Sequence, residues 1–311
     1  MTRVLLASPR GFCAGVERAI ETVEQALALY GAPVYVRRQI VHNRHVVRDL
    51  ERRGAIFLES EEDAPEGSIL VLSAHGVAPE VYENAAARRL VTIDATCPLV
   101  SKVHAEARRY ALEGYTVVLI GHAEHEEVIG TYGEAPDSIR IVGTREEAEA
   151  LQVADPERVA YVTQTTLSVD ETGEIVAALR RRFPTLRGPR KDDICYATTS
   201  RQAAVKQLLG EVDLLLVIGS RNSSNSRRLV DVARSAGVEA HRIDDESEID
   251  ERWLDGRATV GLTSGASAPE QLVQRVCDWF EERGVAEIRP LGTAVENVFF
   301  RLPVELRRSA A

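Results

Sequence analysis

Short apolar runs alternate with amphipathic stretches along almost the whole chain, and this alternation limits what the chain can fold into. The strand-like runs, in chain order, are VLLA, PVYVR, ILVLSA, VTIDA, TVVLIG, IRIVG, VAYVTQ, DLLLVIG, EAHRID and TVGLTS. Stretches with helical periodicity lie between most of them. Continuously apolar strands that alternate with helices predict parallel sheets covered by helices, and therefore an α/β fold. In such folds, ligands bind at the carboxyl ends of the strands.

Three of the four cysteines stand where a helical stretch begins, and we expect all three at strand ends. Cys13 follows VLLA and a turn, Cys97 follows VTIDA, and Cys195 opens the stretch YATTSRQAAVKQLL. A helix N-terminus lowers the pKa of a thiol placed there, so Cys13 alone could be a nucleophile. Cys277, in QLVQRVCDWFEE, has the apolar helical surroundings of a buried thiol.

The other three cysteines are open to two explanations. They could be independent buried thiols, or they could converge on one metal site. Their positions exclude the local Cys-x-x-Cys spacing of a zinc ribbon or a ferredoxin. Three thiolates around a 4Fe-4S cluster would leave one iron without a protein ligand, which is the open position that metal catalysis needs.

The same cysteines divide the chain into rough thirds that share a layout but little sequence identity. In each third, two further strand-like runs end in polar residues. We therefore predict three small parallel-sheet α/β domains in a pseudo-threefold arrangement, with their strand ends pointing inward. The predicted domains span residues 1–96, 97–192 and 193–284, and the tail 285–311 is expected to pack back on an earlier domain. The charged Gly/Pro segment 187–193 marks the second boundary.

Two turns in the last third have residues that favour the binding of an anion. SRNSSNSRR brings Ser223, Ser224 and Asn225 to one strand-to-helix turn, and TSGASAPE brings Ser267 to the next. Backbone N–H groups and short hydroxyl or amide side chains at such turns bind oxyanions. An ordinary N-cap explains either turn alone, whereas two in one domain favour an oxyanion site. Neither GxxxxGK nor GxGxxG after a strand is present, so ordinary ATP or NAD binding is not indicated.

Histidines follow strand-like runs in the other two thirds: His42 and His75 in the first, His125 in the second. A lone histidine of this kind is more often structural, but three in matching positions favour contacts with phosphate oxygens. Glu126 and Glu127 come directly after His125. A carboxyl group with a raised pKa could deliver protons there. The simpler interpretation is a solvated Glu pair at a helix start.

Composition narrows the class of protein. A formal net charge of −10 argues against a nucleic-acid partner, which normally requires a basic surface. No apolar run approaches the length of a membrane span, so we expect no membrane association. MTRVLLASPRGF enters a strand and turn directly, without a signal-peptide pattern. We therefore expect a cytoplasmic protein, whose cysteines stay reduced and available for metal binding or catalysis.

A set of long motifs together resembles the 4-hydroxy-3-methylbut-2-enyl diphosphate reductase family. The motifs are GFCAGVxRAI, VHNRxVV, SAHGV, DATCPLVxKVH, GHxxHxEVxG, TQTTLSVD, GPRKDDICYATTxRQ, GSxNSSNSxRL and TxGASAPE. They run from about Val4 to about Val304 and so cover nearly the whole chain.

The resemblance implies one 4Fe-4S cluster per chain, at the centre of the three domains, with one open iron. Its ligands would be Cys13, Cys97 and Cys195. The residues implied to bind an allylic diphosphate substrate are His42, His75, His125, Thr165, Ser223, Ser224, Asn225 and Ser267. The implied catalytic residues are Glu127, His125 and Thr165. Glu127 would deliver protons, in the register of the family's His-Pro-Glu motif.

The resemblance also implies a reaction. The family removes the allylic hydroxyl reductively, giving isopentenyl and dimethylallyl diphosphate in the last step of the non-mevalonate isoprenoid pathway. The electrons would come from an external donor of the ferredoxin or flavodoxin type. Two other classes remain alternatives: a non-enzymatic iron–sulfur sensor that uses the same cysteines, and a zinc-dependent hydrolase with Cys/His ligands and Glu127.

Overall fold

A computed structural model describes residues 3–292, 294 and 296–307. The strands are β1 (Arg3–Ala7), β2 (Val34–Arg37), β3 (Ala55–Leu58), β4 (Ile69–Leu72), β5 (Val91–Asp94), β6 (Thr116–Ile120), β7 (Ile139–Val142), β8 (Val159–Thr163), β9 (Leu214–Ile218), β10 (Glu239–Ile243), β11 (Thr259–Ser264) and β12 (Glu287–Leu291). The helices are α1 (Ala14–Tyr30), α2 (Arg44–Arg52), α3 (Pro79–Ala87), α4 (Pro98–Leu112), α5 (Glu126–Gly133), α6 (Arg145–Ala150), α7 (Val169–Arg182), α8 (Tyr196–Leu208), α9 (Ser224–Ser235), α10 (Glu270–Glu281) and α11 (Val304–Arg307). No helix in this part of the chain is both long enough and apolar enough to cross a bilayer.

The chain divides into two compact units. Unit 1 comprises Met1–Val16, His42–Val46 and Tyr196–Phe299, and unit 2 comprises Glu17–Val41, Val47–Cys195 and Phe300–Ala311. Unit 1 contains sheet A, with the strand order β10-β9-β11-β1-β12. Unit 2 contains sheet B, ordered β3-β2-β4-β5, and sheet C, ordered β7-β6-β8. Every named pairing is parallel, so the predicted α/β class with three parallel sheets is confirmed.

Sheet A is buried on both faces because helices cover it on both sides. Val4 and Leu6 of β1 pack in one cluster with Phe280 of α10. Leu5 of the same strand points to the opposite face and packs with Val205 of α8. Successive side chains of a strand alternate between its two faces, so a central strand with two covered faces must be apolar throughout.

The pairing of β1 corrects the predicted domains. β1 pairs with β11 and β12, so it belongs to the sheet of the last third rather than to that of β2–β5. Placing residues 1–96 in one domain is therefore wrong for β1. The apolar sequence RVLLA fits any central parallel strand, and nothing local to it selects a sheet. β12, in the predicted tail, completes sheet A as an edge strand, where Pro290 is tolerated.

The segment before Cys195 also differs from the prediction. It forms only an isolated parallel bridge, between Arg187 and Ala160, and then runs irregularly to the cysteine. Pro189 has no N–H to continue a ladder, and Gly188 favours irregular backbone. Cys195 therefore does not lie at a strand end. The three helices nevertheless begin at the residue directly after each cysteine, at Ala14, Pro98 and Tyr196.

Phe280 tests the packing of sheet A. Its side chain is fully buried, so Phe280→Ala should lower the free energy of unfolding by about 3–5 kcal/mol, through lost burial and the cavity that remains. Phe299 is the matched control, because its ring is 78% exposed and Phe299→Ala should change stability by less than about 0.5 kcal/mol. Urea unfolding of the two variants measures both values. Equal effects of the two substitutions would contradict this packing.

Candidate active site

Glu127 lies inside unit 2, at the carboxyl edge of sheet C. Strands β6 and β8 are neighbours and parallel, so the segments that follow them meet at the same edge. Glu127 comes from the start of α5, after β6, and Thr165 follows β8. The backbone N–H of Thr165 donates to Glu127 Oε1 at 2.6 Å, and its hydroxyl donates to Oε2 at 3.0 Å. Two predicted catalytic residues therefore form one hydrogen-bonded pair, with the carboxyl group only 2% exposed.

Burial raises the pKa of Glu127 to about 7. The two hydrogen bonds from Thr165 and the nearby imidazoles of His75 and His104 oppose this shift without cancelling it. A carboxyl group that titrates near neutrality can both hold and release a proton at physiological pH, as a general acid must. The predicted Glu pair is therefore not simply solvated.

Glu126, one residue earlier, behaves in the opposite way. Burial alone would raise its pKa, but the hydrogen bond and charge of His75, together with Arg38 and His125, lower the pKa overall. Its Oε2 lies 3.2 Å from His75 Nδ1, and its Oε1 lies 3.7 Å from Arg38 Nη1. Glu126 is therefore an ionised partner of His75, and the pKa values of the two neighbouring carboxyl groups are shifted in opposite directions.

His125 and His75 complete this part of the site. His125 caps the N-terminus of α5, where its Nδ1 accepts from the backbone N–H of Glu127 at 3.2 Å. The His75 and His125 rings meet edge to face, with centroids 5.9 Å apart. Gln164 Oε1 accepts from the backbone N–H of His122 at 3.1 Å. This hydrogen bond ties the turn after β6 to the turn after β8, so Gln164 and His122 stabilise the site. Unit 2 thus brings together His75, His125, Glu127 and Thr165.

Unit 1 gathers the predicted oxyanion residues into a second network. Ser223 is the N-cap of α9, and Ser224 and Asn225 are its first two residues. The hydroxyl of Ser267 donates to the carbonyl of His42 at 3.0 Å and lies 3.4 Å from the hydroxyl of Ser223. All five side chains are buried, with exposures between 2% and 7%. Buried hydroxyl and amide groups at the N-terminus of a twelve-residue helix suit a phosphate-like ligand.

Three residues of this network were not assigned from the sequence. Asn222 Nδ2 lies 3.0 Å from His42 Nδ1, and Asn225 Nδ2 donates to Thr198 Oγ1 at 3.3 Å. Ser226 lies so close to the next turn that a Cβ at Gly265 would fall 2.1 Å from its Oγ. Asn222 and Ser226 lie within the motif GSxNSSNSxRL, so position in that motif was the available signal. Nothing in the sequence pairs Thr198 with Asn225.

The backbone N–H of each predicted cluster cysteine donates a hydrogen bond to the carbonyl of a turn that carries another predicted site residue. Cys13 donates to the carbonyl of Ala266, beside Ser267, at 3.2 Å, and Cys97 donates to that of Ala74, beside His75, at 3.0 Å. Cys195 donates to the carbonyl of Thr165 at 3.0 Å. Cys13, Cys97 and Cys195 are half-buried residues, whereas Cys277 is buried in α10. Three soft sulfur donors at ordered helix starts have the donor chemistry that an iron–sulfur cluster requires.

The thiol of Cys13 corrects one expectation. Although part of its surface is accessible, burial among protein atoms raises its pKa. The N–H groups of Val16 and Gly15 and the charge of Arg201 act in the lowering direction, but burial outweighs them. The expected lowering by the helix N-terminus therefore does not prevail. A thiol with a raised pKa is a poor nucleophile, whereas a bound metal ion deprotonates a coordinating thiol outright.

A profile described as LytB protein matches residues 4–281. The chain belongs to the LytB protein family. The resemblance seen in the sequence motifs is thereby confirmed. The 4-hydroxy-3-methylbut-2-enyl diphosphate reductase of Acidothermus cellulolyticus is 64% identical over 307 residues, which cover 98% of this chain and 90% of that protein. The protein of the same name from Streptomyces coelicolor is 58% identical, over 98% of this chain and 91% of its own length.

A solved structure agrees with these sequence relatives. It is that of the E-1-hydroxy-2-methyl-but-2-enyl-4-diphosphate reductase from Plasmodium falciparum, which is 41% identical to this LytB chain. The match covers 99% of this chain and 98% of that one, with a TM-score of 0.96. Both the family and its fold therefore extend over essentially the whole sequence.

The raised pKa of Glu127 predicts how the stability of this LytB protein depends on pH. Because the folded-state pKa lies above the ordinary value of 4.5, the native state holds more protons between about pH 4.5 and 7, and its stability falls as pH rises through that window. Glu127→Gln should remove a destabilisation of roughly 3 kcal/mol at pH 8 and leave stability at pH 4.5 nearly unchanged.

Urea unfolding at the two pH values checks this prediction, with Glu126→Gln as the control. The ionised form of Glu126 is the stabilised one, so its loss should lower stability at pH 8. If Glu127→Gln lowers stability at pH 8 as well, the native state favours the ionised carboxylate, and the raised pKa of Glu127 is wrong.

Proposed function

We propose that this chain is a 4-hydroxy-3-methylbut-2-enyl diphosphate reductase. In this proposal it removes the allylic hydroxyl of that diphosphate as water, taking up two electrons and two protons, and forms isopentenyl and dimethylallyl diphosphate. This is the final step of the non-mevalonate isoprenoid pathway. The observation that carries the proposal is the buried Glu127–Thr165 pair, a proton donor of near-neutral pKa on a chain with a separate buried oxyanion network. The names of its relatives specify the substrate.

Cys13, Cys97 and Cys195 would hold one 4Fe-4S cluster. The thiol donors suit iron, and their helix-start turns are ordered by main-chain hydrogen bonds. When bound, the cluster supplies electrons and an iron without a protein ligand, which can act as a Lewis acid. The three predicted lobes would then surround it, as the pseudo-threefold layout of the sequence suggests. A cluster of this kind also suits a reducing cytoplasm, where we place the protein.

The diphosphate would be held by the network of His42, Ser223, Ser224, Asn225 and Ser267, joined by His75 and His125. Asn222 lies against His42 Nδ1 and the ionised Glu126 lies against His75 Nδ1, so each contact fixes the orientation of its imidazole. The diphosphate takes no part in bond breaking. Holding it fixes the position of the allylic carbon and oxygen, and positioning of that kind can lower a barrier by roughly 7–11 kcal/mol at best.

Proton delivery would fall to Glu127. The two hydrogen bonds from Thr165 fix both oxygens of its carboxyl group, so the proton is presented in a defined direction. Thr165 would also contact the substrate hydroxyl or an ordered water. The pKa near 7 lets Glu127 release a proton and be reprotonated at neutral pH. We assign the external electron donor to the ferredoxin or flavodoxin type, which delivers electrons one at a time.

Cys195→Ser tests the cluster assignment. We expect the anaerobically purified variant to lose the visible absorbance of the cluster and its activity, because a serine hydroxyl is a poor ligand for iron. Cys277→Ala is the matched control, since Cys277 lies in the helical core of unit 1, and it should retain iron, sulfide and activity. A fully active Cys195→Ser protein would overturn the assignment.

Metal content decides between the proposed enzyme and the two alternatives. Iron with sulfide and an EPR signal on reduction supports the reductase or the sensor, and turnover of the diphosphate separates these two. Zinc without iron would favour the hydrolase.

A pair of glutamine substitutions tests the proton donor. Glu127→Gln should lower kcat by about 10²–10⁴-fold with little change in KM, because it removes the acid and leaves the oxyanion network intact. Glu126→Gln should act mainly on KM, through the loosened His75. Steady-state kinetics with a reduced small-molecule dye provides both values. A larger fall in kcat for Glu126→Gln would transfer the acid role to that residue.

A further inference from the structure

A basic residue follows each cluster cysteine at almost the same distance. Arg18 is five residues after Cys13, and Lys102 is five residues after Cys97. Arg201 is six residues after Cys195. Since each helix begins directly after its cysteine, all three cations lie in the second turn of α1, α4 and α8.

Arg18 binds the turn that leads into the next cysteine, Cys97. Its Nη1 donates to the carbonyl of Thr96 at 3.0 Å, and its Nη2 donates to that of Asp94 at 3.3 Å. Its Nε donates to the carbonyl of Arg301 at 2.8 Å. Arg18 is only 8% exposed, and its hydrogen bonds within the described residues all go to backbone carbonyls.

Lys102 binds the segment that leads into Cys195. Its Nζ donates to the carbonyls of Lys191 and Asp192, the latter at 3.0 Å, and to Asp193 Oδ1 at 3.0 Å. The other oxygen of Asp193 accepts from the backbone N–H of Thr163 at 3.0 Å. An irregular segment is thus tied both to α4 and to the end of β8.

Arg201 closes the cycle at the turn that leads into Cys13. Its Nη2 donates to the carbonyl of Gly11 at 2.7 Å and to the carbonyl of Phe12 at 3.4 Å. Its Nη1 lies 2.9 and 3.0 Å from the two carboxylate oxygens of Glu296. Arg201 is completely buried, so its charge acts on nearby groups with little screening by water.

The three contacts therefore follow one rule. The helix after Cys13 holds the turn before Cys97, the helix after Cys97 holds the segment before Cys195, and the helix after Cys195 holds the turn before Cys13. Burying a cation is costly unless negative charge accompanies it. Arg201 and Lys102 each have a carboxylate partner within hydrogen-bond distance, whereas the hydrogen bonds of Arg18 among the described residues go to carbonyls, and Asp94 and Glu305 act on it through charge. Burial lowers the pKa of Arg18, and the charges of Asp94 and Cys97 oppose that shift, so an anionic sulfur at Cys97 would stabilise this cation.

We infer that Arg18, Lys102 and Arg201 are positioning residues that lock the three cysteine turns, and that the charge of Arg18 also raises the reduction potential of the cluster held there. The inference rests on the proposed function, since it requires the cluster. Hydrogen bonding and net charge around an iron–sulfur cluster set its potential, and residues that orient metal ligands affect affinity by about 10–100-fold.

Two substitutions of Arg18 separate its charge from its hydrogen bonds. Arg18→Gln keeps an amide donor but removes the charge, whereas Arg18→Lys keeps the charge but loses the planar fork. Arg182→Gln is the matched control. Arg182 also donates to two carbonyls, those of Ala148 and Leu151, in a part of unit 2 that carries no cluster cysteine.

The holoenzyme variants are compared by EPR-monitored redox titration with small mediators and by iron release to a ferrous chelator. We expect Arg18→Gln to shift the midpoint potential to more negative values and to speed iron release by about 10–100-fold. Arg18→Lys should keep the potential near that of the wild type while still speeding release. Arg182→Gln should change neither quantity.

Two outcomes distinguish this inference from the proposed function. If the wild-type protein binds no 4Fe-4S cluster, the proposed function fails. If the wild type binds the cluster and is active, but Arg18→Gln and Lys102→Met leave both potential and iron release unchanged, the positioning role is wrong and the function stands. A potential that shifts equally in Arg182→Gln would also overturn the inference, because the shift would then reflect general loosening.

Discussion

The carboxyl group of Glu127 lies inside unit 2 on two hydrogen bonds from Thr165, and the chemistry proposed for this chain depends on that pair. Burial favours the neutral acid, while the two donors favour the carboxylate. Their balance leaves the pKa near 7. Without the two donors of Thr165 the pKa would lie higher, and with further donors it would lie lower. The pairing of β6 with β8 therefore sets the pKa of Glu127 as well as the position of its side chain.

Helix geometry explains why Glu126 and Glu127 can differ so much. Consecutive residues of a helix point about 100° apart, so two neighbours at the start of α5 face different surroundings. Glu127 faces Thr165 and is buried, whereas Glu126 faces the imidazole of His75 and the guanidinium of Arg38. The sequence His125-Glu126-Glu127 thus supplies an ionised orienting group and a carboxyl group that titrates near neutrality from adjacent positions.

The sequence predicted the fold class better than it predicted how the strands pair. Apolar strands that alternate with helices imply parallel sheets, but RVLLA carries no information about its partner strands, and β1 joined a different sheet from the one expected. The edge strand β3 was missed because it is short and half exposed, with Ile56 41% accessible. The balance between burial and hydrogen bonding at Glu127 was also beyond the sequence, because it depends on contacts between residues 38 positions apart.

Main-chain hydrogen bonds explain why the motifs of this chain are long rather than single residues. The N–H groups of Cys13, Cys97 and Cys195 are fixed by carbonyls of turns that carry Ser267, His75 and Thr165. A side-chain substitution cannot remove such a bond directly, but any change that moves a turn displaces both a proposed cluster cysteine and a proposed substrate-binding residue. Because the turns are coupled in this way, they require small residues. At Gly265, next to the carbonyl partner of Cys13, a methyl group would fall 2.1 Å from Ser226 Oγ and would displace the oxyanion network together with the cysteine turn.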